Sequence, residues 1–394
     1  MKILFMTVGT GVGSDEERIR NLAHGLLSSI RSHTPDKMVF FGSEESMKTL
    51  EEMKRQYLEE EDKELAGYEF VRIDRIDDFY ECYRSMEEKI KEYKDDDILI
   101  DYTSGTKTMT TSAAIVAMLY QKKLFLTTGK RGKNGVVIPG TEEAREQNLF
   151  AAYDKYLFDK AMEAFNSYRY EDARVYLKHI VELKDKDVYM KIVDAYDHWD
   201  KFDHRSALEK LRDVKIDIFN KNKSFLGRLN NERDTMVEEF LIPDLINNAS
   251  RRMSEGKYDD AVARLYRCIE MIAQYRLKLK YGLNPSRIEW GDLETRLDDI
   301  SKYEVEKDKD GVIRLALRKS YELLQDLRDD LGGVVEDKEL MDLLTRRNSS
   351  ILAHGVKPVS REDAEKLLGK TKSISGVVIN RLDSLLETSR FPRL

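Results

Sequence analysis

The chain has 394 residues, 41% hydrophobic and 36% charged, with only 6 Pro, 21 Gly, 2 Trp and 2 Cys. That length and composition support two or three domains with real cores and long helices, and exclude collagen-like, proline-rich and Gly/Ser low-complexity classes. A net charge of -7 argues against a protein that coats duplex nucleic acid but leaves room for a local anion site.

Mean hydropathy is -0.58, and no apolar run approaches the ~18–20 residues of a membrane span. The opening MKILFMTVGTGVG reads as a buried first strand rather than a signal peptide. Cys82 and Cys268 have no paired spacing, so neither a disulfide framework nor a cysteine zinc site is expected, and the expected compartment is the cytoplasm.

Roughly the first 140 residues alternate as α/β. Strands are expected at 2–8, 37–42, 68–74, 97–101 and from 124, separated by helices over 16–32, 44–64, 77–93 and 107–121. A basic loop and a short strand follow at 130–140, where Asn134 and Gly135 favour a tight turn. From about 145 the strand signal stops, and residues 150–225 carry Tyr, Leu and Ala at helical intervals. Further helices are expected at 231–254, 258–280, 313–331, 336–354 and 360–387, punctuated by Pro243, Gly256, Gly282 and Gly355. The expected domains are 1–145, Rossmann-like; 146–230, a helical connector; and 231–394, a helical domain.

In a doubly wound sheet of order 3-2-1-4-5, ligands sit beyond the carboxyl ends of the strands, at the switch between strands 1 and 4. The two small-residue loops follow those strands: Gly9, Thr10, Gly11, Val12, Gly13 and Ser14, then Tyr102, Thr103, Ser104, Gly105, Thr106 and Lys107. Each opens a helix, whose N-terminus suits phosphate. The first is not a full dinucleotide fingerprint, SGTK in the second resembles the end of a P-loop but lacks its full pattern, and glycine-rich βα turns also occur for structural reasons alone. The basic loop Lys130, Arg131, Gly132 and Lys133 lies on the same rim.

A second constellation is Arg347, Asn348 and His354. Arg347 and His354 are seven apart, two turns, which places them on one face of the helix expected over 336–354. Leu343, Leu344, Ile351 and Leu352 would then form the stripe that anchors it. Arginine offers fixed donors to phosphate and histidine titrates near neutrality, the groups that metal-free RNA cleavage requires. The plainer alternative is a last-turn His with Gly355 as the helix stop. Of the six histidines, only His198 and His204, near Asp194, Asp197 and Asp200, form a cluster, and their spacing matches no common metal site. No metal is expected.

The ordered pair, a strand followed by DYTSGTK in an α/β domain and then ArgAsn with His after five further residues in a helical domain, resembles the CARF–HEPN accessory ribonucleases of type III CRISPR systems (the Csm/Csx group). The resemblance covers 1–140 and about 230–394 and includes the helix Asp260–Glu270. It implies a cytoplasmic homodimer in antiviral defence that binds a cyclic oligoadenylate, tetra-adenylate ahead of hexa-adenylate, through Gly9, Thr10, Gly11, Thr103, Ser104, Gly105, Thr106 and Lys107. It implies that Arg347, Asn348 and His354 of two protomers cleave single-stranded RNA without a metal or other cofactor. The alternatives are a ligand-binding regulator whose helical domain only oligomerises, and a protein that also degrades its own activator.

Overall fold

The computed structural model describes residues 1–10, 16–130, 137–138, 140–231 and 236–394. Five parallel strands, β1 (Lys2–Val8), β2 (Lys37–Gly42), β3 (Tyr68–Arg72), β4 (Asp97–Asp101) and β5 (Lys123–Thr128), alternate with α1 (Glu16–His33), α2 (Met47–Glu61), α3 (Phe79–Glu92) and α4 (Lys107–Leu119). The sheet order is β3-β2-β1-β4-β5-β6, so β1 and β4 are neighbours, in register from Lys2 opposite Asp97 to Met6 opposite Asp101.

The continuous apolar runs follow from coverage on both faces. Alternate residues of β1 enter two cores. Ile3 and Phe5 join Cys82, Met86 and Ile90 of α3 and Met109, Ala113 and Val116 of α4. Leu4, Met6 and Val8 join Ala23, Leu26 and Leu27 of α1 and Leu50 and Met53 of α2. Burial of each such side chain contributes about 1.5–3 kcal/mol.

The sixth strand, β6 (Glu143–Gln147), was not expected. It pairs antiparallel with β5, from Leu124 opposite Gln147 to Thr128 opposite Glu143. Its sequence, EAREQ, has no apolar run because it is an edge, where charged side chains deter pairing with other chains. Of the basic loop and short strand expected at 130–140, residues 131–136 and 139 lie outside the described residues.

The rest of the chain is largely helical. α5 (Phe150–Asn166), α6 (Tyr170–His179), α7 (Lys186–Asp200), α8 (His204–Arg212) and α9 (Asn220–Leu229) come first. Then follow α10 (Glu238–Ser254), α11 (Tyr258–Tyr281), α12 (Trp290–Glu294), α13 (Leu317–Asp326), α14 (Lys338–Asn348), α15 (Arg361–Val378) and α16 (Leu382–Thr388). A two-stranded antiparallel ribbon, β7 (Ile288–Glu289) with β8 (Val312–Ile313), interrupts them. Pro243, expected as punctuation, lies inside α10. The helix expected over 336–354 ends at Asn348, and the one over 360–387 breaks into α15 and α16.

The chain divides into two compact units, Met1–Tyr156 with Ile180–Leu183, and Leu157–His179 with Lys184–Leu394. In the second, fully buried Trp199 stacks on Tyr196, and its indole Nε1 donates to Asp244 Oδ1 at 2.9 Å. α11 is the central helix, with Leu265, Cys268, Ile269 and Ile272 fully buried.

Candidate functional sites

The two glycine-bearing loops meet backbone to backbone. A Cβ added at Gly9 would stand 3.0 Å from the Gly105 nitrogen, and the Gly9 N–H donates to Ser104 Oγ at 2.9 Å. Gly105 has φ +115, and a Cβ there would crowd Thr7 and Met109, so both glycines are required for the approach. Gly11, with Val12, Gly13 and Ser14, lies outside the described residues, as do Arg131, Gly132 and Lys133.

The hydroxyls of the second loop are engaged within the domain. Thr103 Oγ1 accepts from the Thr127 N–H at 2.6 Å. Thr106 caps α4, accepting from the Met109 N–H at 3.2 Å, and donates to the Ile76 carbonyl at 2.9 Å. The loop therefore presents mainly a helix N-terminus, with exposed Lys107 at its first position. The Lys107 ammonium has no carboxylate partner among the described residues. Thr10 is partly buried at the end of the first described loop segment.

Asp101 is fully buried and builds the turn. Its carboxylate accepts from the Thr103 N–H at 2.8 Å, from Thr127 Oγ1 at 3.3 Å and from the Ser29 hydroxyl. Buried His33, set edge-on to Phe125, has its pKa lowered chiefly by burial, with Asp101 opposing. On the other loop, Ser46 donates to the Val8 carbonyl and Thr49 to the Gly9 carbonyl, both at 2.8 Å. Sequence reasoning missed Thr7, Ser29, Ser46, Thr49 and Thr127. The signal was a hydroxyl inside or just after an apolar run, Thr7 in β1 and Thr127 in β5.

The second constellation departs from the single helical face expected. α14 is capped by Asp337, whose side chain accepts from the Leu340 N–H at 3.1 Å, and stops at Asn348. The chain then turns back: the His354 N–H donates to the Asn348 carbonyl at 3.1 Å and the Lys357 N–H to the Ser349 carbonyl at 3.0 Å. His354 thus returns to the helix end on an exposed loop rather than continuing it. Leu343 and Leu344 are buried as expected, but Ile351 is 70% and Leu352 47% exposed, because they belong to the loop. Gly355 permits the return, since a Cβ there would lie 2.1 Å from the Ser349 oxygen.

Arg347 stands at the last turn of α14 with its Cζ 4.4 Å from the centroid of the Tyr266 ring. Its Nη1 donates to Asn348 Oδ1 at 3.2 Å. Arg346 instead pairs with Asp363 at 2.7 Å.

The acidic cluster on α7 is engaged elsewhere. Arg174 pairs with Asp194 and Asp197, Arg251 with Asp200, and His204 Nε2 contacts Asp244 at 2.8 Å. Among the described residues no group of three or more His, Cys, Asp or Glu side chains is placed to hold a metal. Both cysteines are free and buried, and burial pushes the Cys82 thiol up to about 11. No described helix is long and apolar enough to cross a membrane.

A Rossmann-like domain with a glycine-built mouth, followed by a helical section that carries an Arg–Asn and His loop between α14 and α15, is the architecture of a CARF–HEPN protein. The family model of the Csm6 6H domain matches residues 153–241, and that of the Csm6 HEPN domain matches residues 230–377. Together they span more than half of the chain, which belongs to the Csm6-type CARF–HEPN accessory proteins, and the HEPN family points to a ribonuclease. The structure of Enterococcus italicus Csm6 bound to cyclic hexa-2'-fluoro-hexa-dAMP is similar over 99% of this chain and 98% of that one, with a TM-score of 0.66 at 12% identity, a likeness of fold. A search of curated proteins finds no match.

Proposed function

We propose that this protein is a cyclic-oligoadenylate-activated, metal-independent endoribonuclease that cuts single-stranded RNA in type III CRISPR antiviral defence, in the cytoplasm. The observation that carries the reading is the return of the His354 loop onto the end of α14 beside Arg347, inside the segment matched by the Csm6 HEPN family.

Arg347, steadied by Asn348, binds the scissile phosphate and stabilises the charge that builds on it. His354 exchanges protons with the ribose 2′ oxygen or the leaving 5′ oxygen. The 2′ oxygen forms a bond to phosphorus as the bond to the 5′ oxygen breaks, which leaves a 2′,3′-cyclic phosphate and a 5′-hydroxyl. Two protomers form one composite site, and the homodimer is supported by exposed Ile351, Leu352 and Val356 around His354, an apolar patch that calls for a partner surface.

Activator binds at the mouth built by Gly9, Thr10 and Thr103 to Lys107, to which the resemblance adds Gly11. A two-fold ring suits a two-fold pair of such mouths, and Lys107 with the α4 N-terminus supplies positive charge. Cyclic tetra-adenylate is the ring expected from the resemblance; the likeness to a protein bound to a six-membered analogue sets hexa-adenylate beside it.

The test is cleavage of a fluorescent single-stranded RNA in EDTA with cyclic tri-, tetra- or hexa-adenylate, or none, beside His354→Ala. Cleavage by the wild type with one ring, and none by the variant, is the expected result. Tight ring binding without cleavage would leave a ligand-binding regulator in its place.

A further inference from the structure

We infer that Tyr266 is the positioning residue of the RNA-cleaving arginine, its ring being the platform that sets how Arg347 presents its guanidinium. The inference rests on the reading of Arg347 as the phosphate-binding group. Arginine is a long side chain, and at the end of a helix facing an open loop it has many conformers. Three restraints act on this one. The ring of Tyr266 lies 4.4 Å from Cζ, Asn348 Oδ1 holds Nη1, and Nε is enclosed without a hydrogen-bond acceptor.

The kind of restraint matters. Arg346, one residue earlier, is held by a carboxylate, Asp363, and a carboxylate competes with phosphate for the same donors. Arg347 has no carboxylate partner among the described residues. An aromatic face orients a cation without neutralising it, so the guanidinium is fixed in place while its charge stays available to an anion. The platform is itself rigid, because Tyr266 follows fully buried Leu265 and precedes fully buried Cys268 and Ile269 on α11. Pre-organisation of this kind is what an electrostatic contribution to catalysis requires.

The experiment uses the full chain, fluorescent single-stranded RNA in EDTA and whichever of cyclic tetra- or hexa-adenylate activates the wild type. Tyr266→Phe keeps the ring face and is expected to stay within about twofold of wild type in kcat. Tyr266→Leu removes the face and is expected to lower kcat about ten- to a hundredfold, the scale of a displaced catalytic group, with KM within about threefold. Tyr266→Met, of similar reach without a ring face, serves if the Leu variant melts early. The pair Tyr266→Leu with Arg347→Ala should be no slower than Arg347→Ala alone, since a platform without its cation has nothing to orient.

Wild-type kcat in a folded Leu or Met variant would overturn the inference. So would a Phe variant as slow as the Leu variant, which would make the hydroxyl the acting group, or a loss confined to KM, which would make Tyr266 an RNA contact. Full activity of Arg347→Ala would remove the underlying reading and the inference with it, a failure seen in that variant alone.

Discussion

Gly355 sets how closely the His354 loop returns to α14. With only 2.1 Å between an added Cβ and the Ser349 oxygen, Gly355→Ala must open the loop, a local strain of about 1–3 kcal/mol. RNA cleavage is expected to fall about a hundredfold while the melting temperature drops by only a few degrees; wild-type cleavage by the folded variant would show that the loop geometry is not needed. Asp329 illustrates a residue that supports the same domain by charge. Burial alone would raise its pKa, but hydrogen bonds from Lys280, the Leu331 N–H, Arg276 and Tyr281 prevail and hold it at about 2. Because the folded pKa lies below the ordinary value of about 3.9, the stability it contributes is present above pH ~4 and is lost as pH falls toward ~2, about 2–3 kcal/mol in all. Asp329→Asn is therefore expected to destabilise by about 2–3 kcal/mol at neutral pH, since it removes the charged acceptor shared by Arg276, Lys280 and Tyr281. In denaturant titrations the wild-type advantage should shrink between pH 5 and pH 2, and an advantage constant over that range would refute the account.

At the scale of elements, the turn between β4 and α4 depends on Gly105 and Thr106 together. Gly105→Ala places a side chain at φ +115, against Thr7 and Met109, and Thr106→Ala removes both the α4 cap and the tie to Ile76. Loss of the cap alone costs about 1 kcal/mol, and both variants should lower the melting temperature and weaken ring binding by calorimetry. Unchanged binding by Gly105→Ala would detach this turn from the ligand. The turn was legible because DYTSGTK follows an apolar run, and β1, β2 and β4 were legible for the same reason: strands covered on both faces advertise themselves. β6 was not, because an edge strand is held by backbone bonds that need no apolar side chains. The end of α14 was not, because helical spacing persists through Ile351 and Leu352 while the buried Ser350 and the backbone bonds of the turn decide the path. Arg347, Asn348 and His354 could therefore be proposed from sequence as a group, but not the loop that brings His354 back to the helix end. Tyr266 was out of reach for a different reason: it sits some eighty positions earlier, and only the packing of α11 against α14 brings its ring to Arg347.

At the scale of the molecule, the composite site proposed for two protomers would tie chemistry to association. The loop that carries His354 also carries Ile351, 70% exposed, and Val356, 85% exposed, two apolar side chains that a second copy would cover in the proposed dimer. If these side chains meet a second copy, burying each contributes about 1.5–3 kcal/mol, and placing a carboxylate at both positions should weaken the dimer about a hundredfold or more. The double variant Ile351→Glu with Val356→Glu is expected to sediment as a monomer at low micromolar concentration, to melt near the wild-type temperature because neither side chain supports a core, and to lose RNA cleavage. Ring binding per chain can weaken only to the extent that dimerisation pre-pairs the two mouths, so residual affinity in the variant measures how far the ring itself brings protomers together. A monomeric variant that cleaved RNA at the wild-type rate would mean that one chain holds a complete site, and the composite arrangement would have to be abandoned even if Arg347 and His354 kept their roles.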